Sequence, residues 1–120
     1  MHILVLDDDE TRLTIFKRNL IGHVVDCVKT AENAIEKLSG EEYNALFLDH
    51  DLGGRVLVPS GPGTGYEVAQ WLAEHADRQP EMIFIHSFNP VGSNNMKGLL
   101  PRAIKAPGVW LKLDRLFSKQ

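Results

Sequence analysis

Three short runs of the chain are apolar without interruption: residues 3–6 (ILVL), 45–48 (ALFL) and 82–85 (MIFI). Strands that are apolar on both faces belong in a parallel sheet covered by helices on either side. A fourth run at 23–28 (HVVDCV) is more mixed and predicts a strand nearer the edge, and 103–106 predicts a weaker fifth. Helical periods fill the gaps. Leu13, Phe16 and Leu20 make one stripe, and Ala31, Ala34, Ile35 and Leu38 another, with Thr30 as N-cap. Thr64 and Glu67 have capping-box spacing ahead of Val68, Trp71 and Leu72. Met96, Leu99 and Leu100 form a short stripe that Pro101 stops, and Trp110, Leu113, Leu116 and Phe117 form the last. Strand and helix alternate five times, which predicts a doubly wound α/β fold.

Such folds place their sites at the carboxyl ends of the strands. The residues that follow the three apolar runs are Asp7-Asp8-Asp9, Asp49-His50-Asp51 and His86-Ser87-Phe88-Asn89, so these polar clusters are expected to meet.

Composition adds bounds. With 120 residues, 43% of them apolar and 24% charged, the chain has the size and make-up of a single globular domain over 1–120. A net charge of −3 gives no general pull toward duplex nucleic acid or an anionic membrane. One cysteine, Cys27, excludes an internal disulfide and suits a reducing compartment. The first residues run through four apolar positions straight into acids, which is neither a signal peptide nor a span, so a cytoplasmic location is expected.

The acids set the candidate chemistry. Asp7, Asp8 and Asp49 at adjacent strand ends repel one another unless a cation intervenes. Mg²⁺ or Mn²⁺, which prefer oxygen ligands, resolve that repulsion and bridge to phosphate. Asp51 is a fourth candidate ligand, while Asp9 or Glu10 suits the opening of a helix. His50 and His86 fall at the same edge, where a neutral imidazole serves as general acid or base, or as a ligand for a softer metal. His2, His23 and His75 fit structural roles. Because side chains alternate along a strand, His86 shares a face with Phe88, and His50 opposes Asp49 and Asp51 unless the chain turns there. Ser87 and Asn89 are candidate donors to phosphate oxygens, and Gly92 permits close backbone approach. Asn94 and Asn95 suit turn or cap roles. Residues 53–65 (GGRVLVPSGPGTG) hold five of the ten glycines and a single charge, Arg55. This 13-residue insertion reads either as a substrate lid or as a surface loop. No Walker or Rossmann glycine fingerprint is present.

The stretches ILVLDDDE, NALFLDHDL and HS resemble the landmark strand ends of response-regulator receiver domains over nearly the whole chain. That resemblance implies a five-stranded sheet in the order 2-1-3-4-5. It also implies Mg²⁺ at Asp7 and Asp8, a phosphoacceptor at Asp49 and the fourth-strand hydroxyl at Ser87. Receivers carry a lysine just before a proline after the fifth strand; here Ala106 precedes Pro107, and Lys105 is displaced by one residue. The departures resemble the branch described as cyclic-phosphate processing receiver domains, marked by an acid run, His-Asp after strand three and His-Ser-x-Asn after strand four. Here these are Asp7-Asp8-Asp9, His50-Asp51 and His86-Ser87-Phe88-Asn89. The implied activity is a metal-dependent phosphoesterase acting on a cyclic phosphate, in a nucleotide or at an RNA end. Asp49, His50 and His86 would be its catalytic residues. The alternatives are a phosphorelay module phosphorylated on Asp49 and a non-catalytic receiver that binds a protein partner.

Overall fold

A computed structural model of the protein describes residues 1–113. Five strands, β1 (His2–Leu6), β2 (Val24–Val28), β3 (Ala45–Leu48), β4 (Met82–Ile85) and β5 (Ile104–Lys105), form one parallel sheet in the order β2-β1-β3-β4-β5. The helices are α1 (Glu10–Asn19), α2 (Ala31–Gly40), α3 (Gly65–Glu74) and α4 (Pro90–Leu99). This is the expected doubly wound fold, with a fifth strand of only two residues at the edge. Short 3-10 turns cover Ala76–Arg78 and Val109–Leu111. In the expected last stripe Trp110 and Leu113 are buried, whereas Leu116 and Phe117 lie outside the described residues. Among the described residues no helix is long and apolar enough to cross a membrane.

Each helix begins on a residue whose side chain satisfies the free backbone N–H groups of its first turn. Asp9 accepts from the N–H of Arg12, Thr30 from Asn33, Thr64 from Tyr66 and Asn89 from Gly92. The strand alternation then sorts the core into two layers. Leu4, Leu6, Leu46, Leu48, Ile83 and Ile85 pack with the buried stripes of α2, α3 and α4. Ile3, Val5, Ala45, Phe47 and Phe84 pack on the other face with Leu13, Phe16 and Leu20 of the α1 segment and with Val109, Trp110 and Leu113.

The same alternation aims the residues at the strand ends. Asp7 continues the row of Ile3 and Val5, Asp49 that of Ala45 and Phe47, and His86 that of Met82 and Phe84. Val5 is in register with Phe47, and Phe47 with Phe84, so the three polar groups are delivered side by side on the α1 face. His50 belongs to the opposite row. Gly65 lets α3 start directly against the end of β3: its N–H donates to the His50 carbonyl at 2.9 Å, and a Cβ on it would lie 1.8 Å from the Asp49 carbonyl oxygen.

Candidate functional site

At the carboxyl edge of the sheet an open cleft of about 450 Å³ is lined by Asp8, Arg12, Asp49, Asp51, His86 and Ser87 at its polar end. Arg55, Val56, Leu57, Phe88 and Trp110 also line it. Ligand pockets of small molecules span this size.

Asp7 lies under the cleft, fully buried. Arg12 grips it bidentately, Nε to Oδ2 and Nη2 to Oδ1, both at 2.8 Å, and His86 Nε2 donates to Oδ2 at 2.9 Å. Burial pushes the Asp7 carboxyl up, but the hydrogen bonds from His86 and Arg12 outweigh it and hold its pKa at about 2. Asp7 thus contributes stability above the unfolded carboxylate value of 3.8, and that stability is lost as pH falls toward 2.

Arg12 was not among the candidates read from the sequence, yet it is the resident cation of the acid cluster. Its guanidinium also stands 3.9 Å from Asp8, 3.6 Å from Asp9 and 3.6 Å from Asp49, and lies 5.4 Å from the centre of the Trp110 ring. The signal was present: Arg12 follows Asp8 by four residues and Asp9 by three, the spacings that share a helix face. Trp110 was expected only as a core residue.

Asp49 is nine-tenths buried or more, and among the described residues only its Oδ1 has a close partner, the His50 N–H at 2.9 Å. Burial pushes it up to about 6, helped by the charge of Asp7 and opposed by His86 and Arg12. A carboxyl raised in the fold stabilises below its unfolded pKa and loses that contribution as pH rises through the folded value. Asp49 therefore costs stability at neutral pH; the rise from 3.8 to about 6 corresponds to about 3 kcal/mol at most. Asp49→Asn is expected to raise the melting temperature in metal-free buffer at pH 7.5, with the gain shrinking toward pH 4. Thermal melts at the two pH values check it, and a variant less stable than wild type at pH 7.5 contradicts it.

His86 sits edge-on to Phe16 and Trp110, with ring centres 5.3 and 5.9 Å away. Since a carboxylate only accepts, Nε2 carries the proton shared with Asp7. Nδ1 is buried and has no hydrogen-bond partner among the described residues. Ser87 also lines the cleft; its Oγ accepts from the Asn89 N–H at 3.0 Å and keeps its own proton to donate.

His50 and Asn89 lie elsewhere. The His50 ring is buried on the α4 side, so close to Gly92 that a Cβ there would come within 2.5 Å of it. Its nitrogens are engaged by Asp51 Oδ1 at 2.8 Å and Ser60 Oγ at 2.9 Å, leaving neither open as an acid or base. Asn89 spends its amide on Asp51 Oδ1 and the Val58 carbonyl, both at 3.0 Å, and its Oδ1 on capping α4, so it has no donor left for phosphate. Asp51 accepts from His50 and Asn89 at Oδ1 and from the Leu57 N–H at Oδ2 (2.7 Å). Burial raises its pKa, but these bonds outweigh it and hold the carboxyl below the usual range. Each oxygen of Asp51 thus accepts at least one hydrogen bond, while the residue still borders the cleft. His50, Asp51 and Asn89 also bond to Ser60, Leu57 and Val58 of the 53–65 insertion, which borders the cleft through Arg55, Val56 and Leu57. Lys105 points away, donating to Asn94 Oδ1 at 2.6 Å.

A divalent ion fits what remains. Asp7, Asp49 and His86 each bring a ligating atom within 4.8 Å of the others, but Asp7 is saturated by Arg12 and His86. Among the described residues, Asp8 Oδ1 and Asp49 Oδ2 have no partner nearer than the Arg12 guanidinium, at 3.9 and 3.6 Å. Two open carboxylate oxygens beside a solvent-filled cleft match Mg²⁺, which takes one or two carboxylates and completes its shell with water and substrate phosphate.

The family model of the cyclic-phosphate processing receiver domain matches residues 2–102. Comparison with the curated proteins gives no match. Among solved structures the chain is similar to the response regulator TrrA of Thermotoga maritima in complex with Mg²⁺ and BeF, with 20% identity over 98% of this chain and 96% of that one and a TM-score of 0.68. It is similar to a receiver domain of Methanospirillum hungatei, with 18% identity over 99% and 98% and a TM-score of 0.68. The Mn²⁺-bound response regulator Rcp1 has 15% identity over 98% and 91%, with a TM-score of 0.69. At these identities the likeness is one of fold.

Proposed function

The chain belongs to the cyclic-phosphate processing receiver domain family, and from that premise we propose that its cleft binds and hydrolyses a cyclic phosphodiester with a divalent cation. The observation that supports this reading is the Asp7–His86 pair at the floor of the cleft: His86 is a lining residue, and its buried Nδ1 has no hydrogen-bond partner among the described residues. Asp7 fixes the proton on Nε2 and leaves the lone pair on Nδ1; because Nδ1 is buried, its service as general base requires the ring to turn or a water to reach it as the cleft fills. Water attacks phosphorus, forming one P–O bond as one ring P–O bond breaks. His86 takes the proton released by the water and returns it to the departing alkoxide. Arg12, Arg55 and Ser87 hold the nonbridging oxygens. Asp8 and Asp49 would hold Mg²⁺ or Mn²⁺, whose charge offsets that of the phosphoryl oxygens and raises the electrophilicity of phosphorus.

Charge does not strongly favour the product. A cyclic phosphodiester is a monoanion, whereas its monoester product, with a second pKa near 6, approaches a dianion at neutral pH. Asp8, Asp9, Asp49 and Asp51 offset the two guanidinium groups and a divalent ion, so a lining near neutrality gives the dianionic product no large electrostatic advantage over the monoanionic substrate.

The test is incubation with Mg²⁺ or Mn²⁺ and a panel of 2′,3′- and 3′,5′-cyclic nucleotides; turnover of none sinks the proposal. Metal titration is expected to give at least about tenfold weaker binding for Asp8→Asn, with the loss of a charged ligand. Unchanged affinity in that variant contradicts the assigned ligands.

A second reading, phosphorylation of Asp49, draws support from its open Oδ2 on a receiver fold. The orientation of Lys105 away from the cleft opposes it. An Asp49 adduct by mass spectrometry after treatment with acetyl phosphate would favour this second reading.

A further inference from the structure

The mouth of the cleft has an unusual make-up. Val56, Leu57 and Phe88 are 80%, 70% and 64% exposed, yet all three line the same cleft as Arg12, Asp49 and Ser87. We propose that they form a nucleobase clamp, so that the ligand is a free nucleotide whose base lies between Leu57 and Phe88 and whose cyclic phosphate lies over the polar floor. This inference rests on the phosphate-binding reading of the cleft and extends it to the class of substrate.

The first support is the way the Val56-Leu57 pair is held. Leu57 has φ +51°, a left-handed conformation that costs a branched residue free energy and is found where surrounding structure imposes it. Here the imposing group is Asp51, whose Oδ2 receives the Leu57 N–H. Asn89 holds the next carbonyl, that of Val58, and Ser60 Oγ bonds to His50 and Asn95. These side chains, of which His50 and Asn89 are buried and Asp51 and Ser60 half-buried, thus hold two apolar side chains out over the cleft rather than letting them turn inward. Apolar side chains grouped at a cleft mouth mark a ligand surface.

The second support is Phe88. Its ring meets Trp110 edge-on, at 5.4 Å and 88°, and is backed by the backbone at Gly108. The ring is therefore braced while most of it remains open to a ligand. An aromatic face of this kind stacks a base for about 1–3 kcal/mol.

The third is charge. Four carboxylates and two guanidinium groups line the cleft, and a divalent ion would bring that lining only to about neutrality, so among the described lining residues little positive charge is left over for additional phosphates of an RNA chain. Affinity must then come from an apolar planar body attached to a single-charge phosphate, which describes a cyclic mononucleotide.

Equilibrium binding by the full chain carrying His86→Gln, with Mg²⁺ present, tests the clamp. The probes are 2′,3′-cyclic AMP, ribose 2′,3′-cyclic phosphate and a short RNA ending in a 2′,3′-cyclic phosphate. The nucleotide is expected to bind at least about tenfold more tightly than the base-free sugar, and Phe88→Ala to remove about that factor for the nucleotide only. Leu57→Gly, which relieves the backbone conformation, is expected to act in the same direction. Equal affinity for nucleotide and base-free sugar, or a Phe88→Ala loss common to both, overturns the clamp and leaves the phosphate reading standing. Binding of neither overturns both. Tighter binding of the RNA end than of the nucleotide overturns the assignment to free nucleotides.

Discussion

His86→Gln is expected to lower kcat for a cyclic phosphodiester by about a hundred- to ten-thousandfold while changing KM little. Glutamine keeps an N–H that can reach Asp7 Oδ2, so the brace on Asp7 and its Arg12 pairing is preserved. What it lacks is the second ring nitrogen, Nδ1, which has no partner among the described residues and is the atom assigned to proton transfer. The pH–rate profile separates this role from a structural one. Wild type should show a limb reporting the imidazole, and the variant should lose it. If the variant retains wild-type kcat, His86 only supports Asp7.

The largest effect on stability is expected at Gly65. A Cβ there would meet the Asp49 carbonyl oxygen at 1.8 Å and its carbonyl carbon at 2.8 Å, both backbone atoms at the end of a central strand. Neither can swing aside, unlike the end of a flexible side chain, so α3 or the end of β3 must move. Gly65→Ala is expected to cost about 3 kcal/mol or more and to lower the melting temperature by roughly 10–15 °C. It should also impair the cleft, because Asp49 shifts with its backbone. Gly98 in α4 is the control: nothing lies within 4 Å of a Cβ added there, and alanine at that position is expected to be neutral or stabilising by up to about 1 kcal/mol. A melt of Gly65→Ala within roughly 2 °C of wild type contradicts the packing at the strand end.

Much of this was legible in the sequence, and the reasons differ from residue to residue. Apolar runs at 3–6, 45–48 and 82–85 specify buried parallel strands because only a doubly covered sheet accommodates them. The rule that polar residues at strand ends converge then brought Asp7, Asp8, Asp49, His86 and Ser87 to one edge. Strand alternation, carried one residue further, puts Asp7, Asp49 and His86 on the α1 face and sends His50 to the other. His-Asp-…-Asn looked like chemistry because the same residue types serve catalysis and buried hydrogen bonding. The contacts with Ser60, Leu57 and Val58, which have no signal in the sequence, add a bracing role for these residues. Arg12 was harder to see, since a basic residue in the first turns of an amphipathic helix ordinarily faces solvent. Its inward turn depends on the depth of the acid pocket and on Trp110, which lies 98 residues away in the chain and has no local signal.

Hydrolysis of a cyclic phosphate by this receiver fold, as proposed, breaks a bond that phosphorus NMR observes directly. With the full chain, Mg²⁺ and 2′,3′-cyclic AMP, the cyclic phosphodiester resonance is expected to be replaced by that of a monoester. The conversion should vanish with His86→Gln and with removal of the metal by chelator. A cyclic resonance that persists unchanged over many hours beside the wild-type protein would contradict the account.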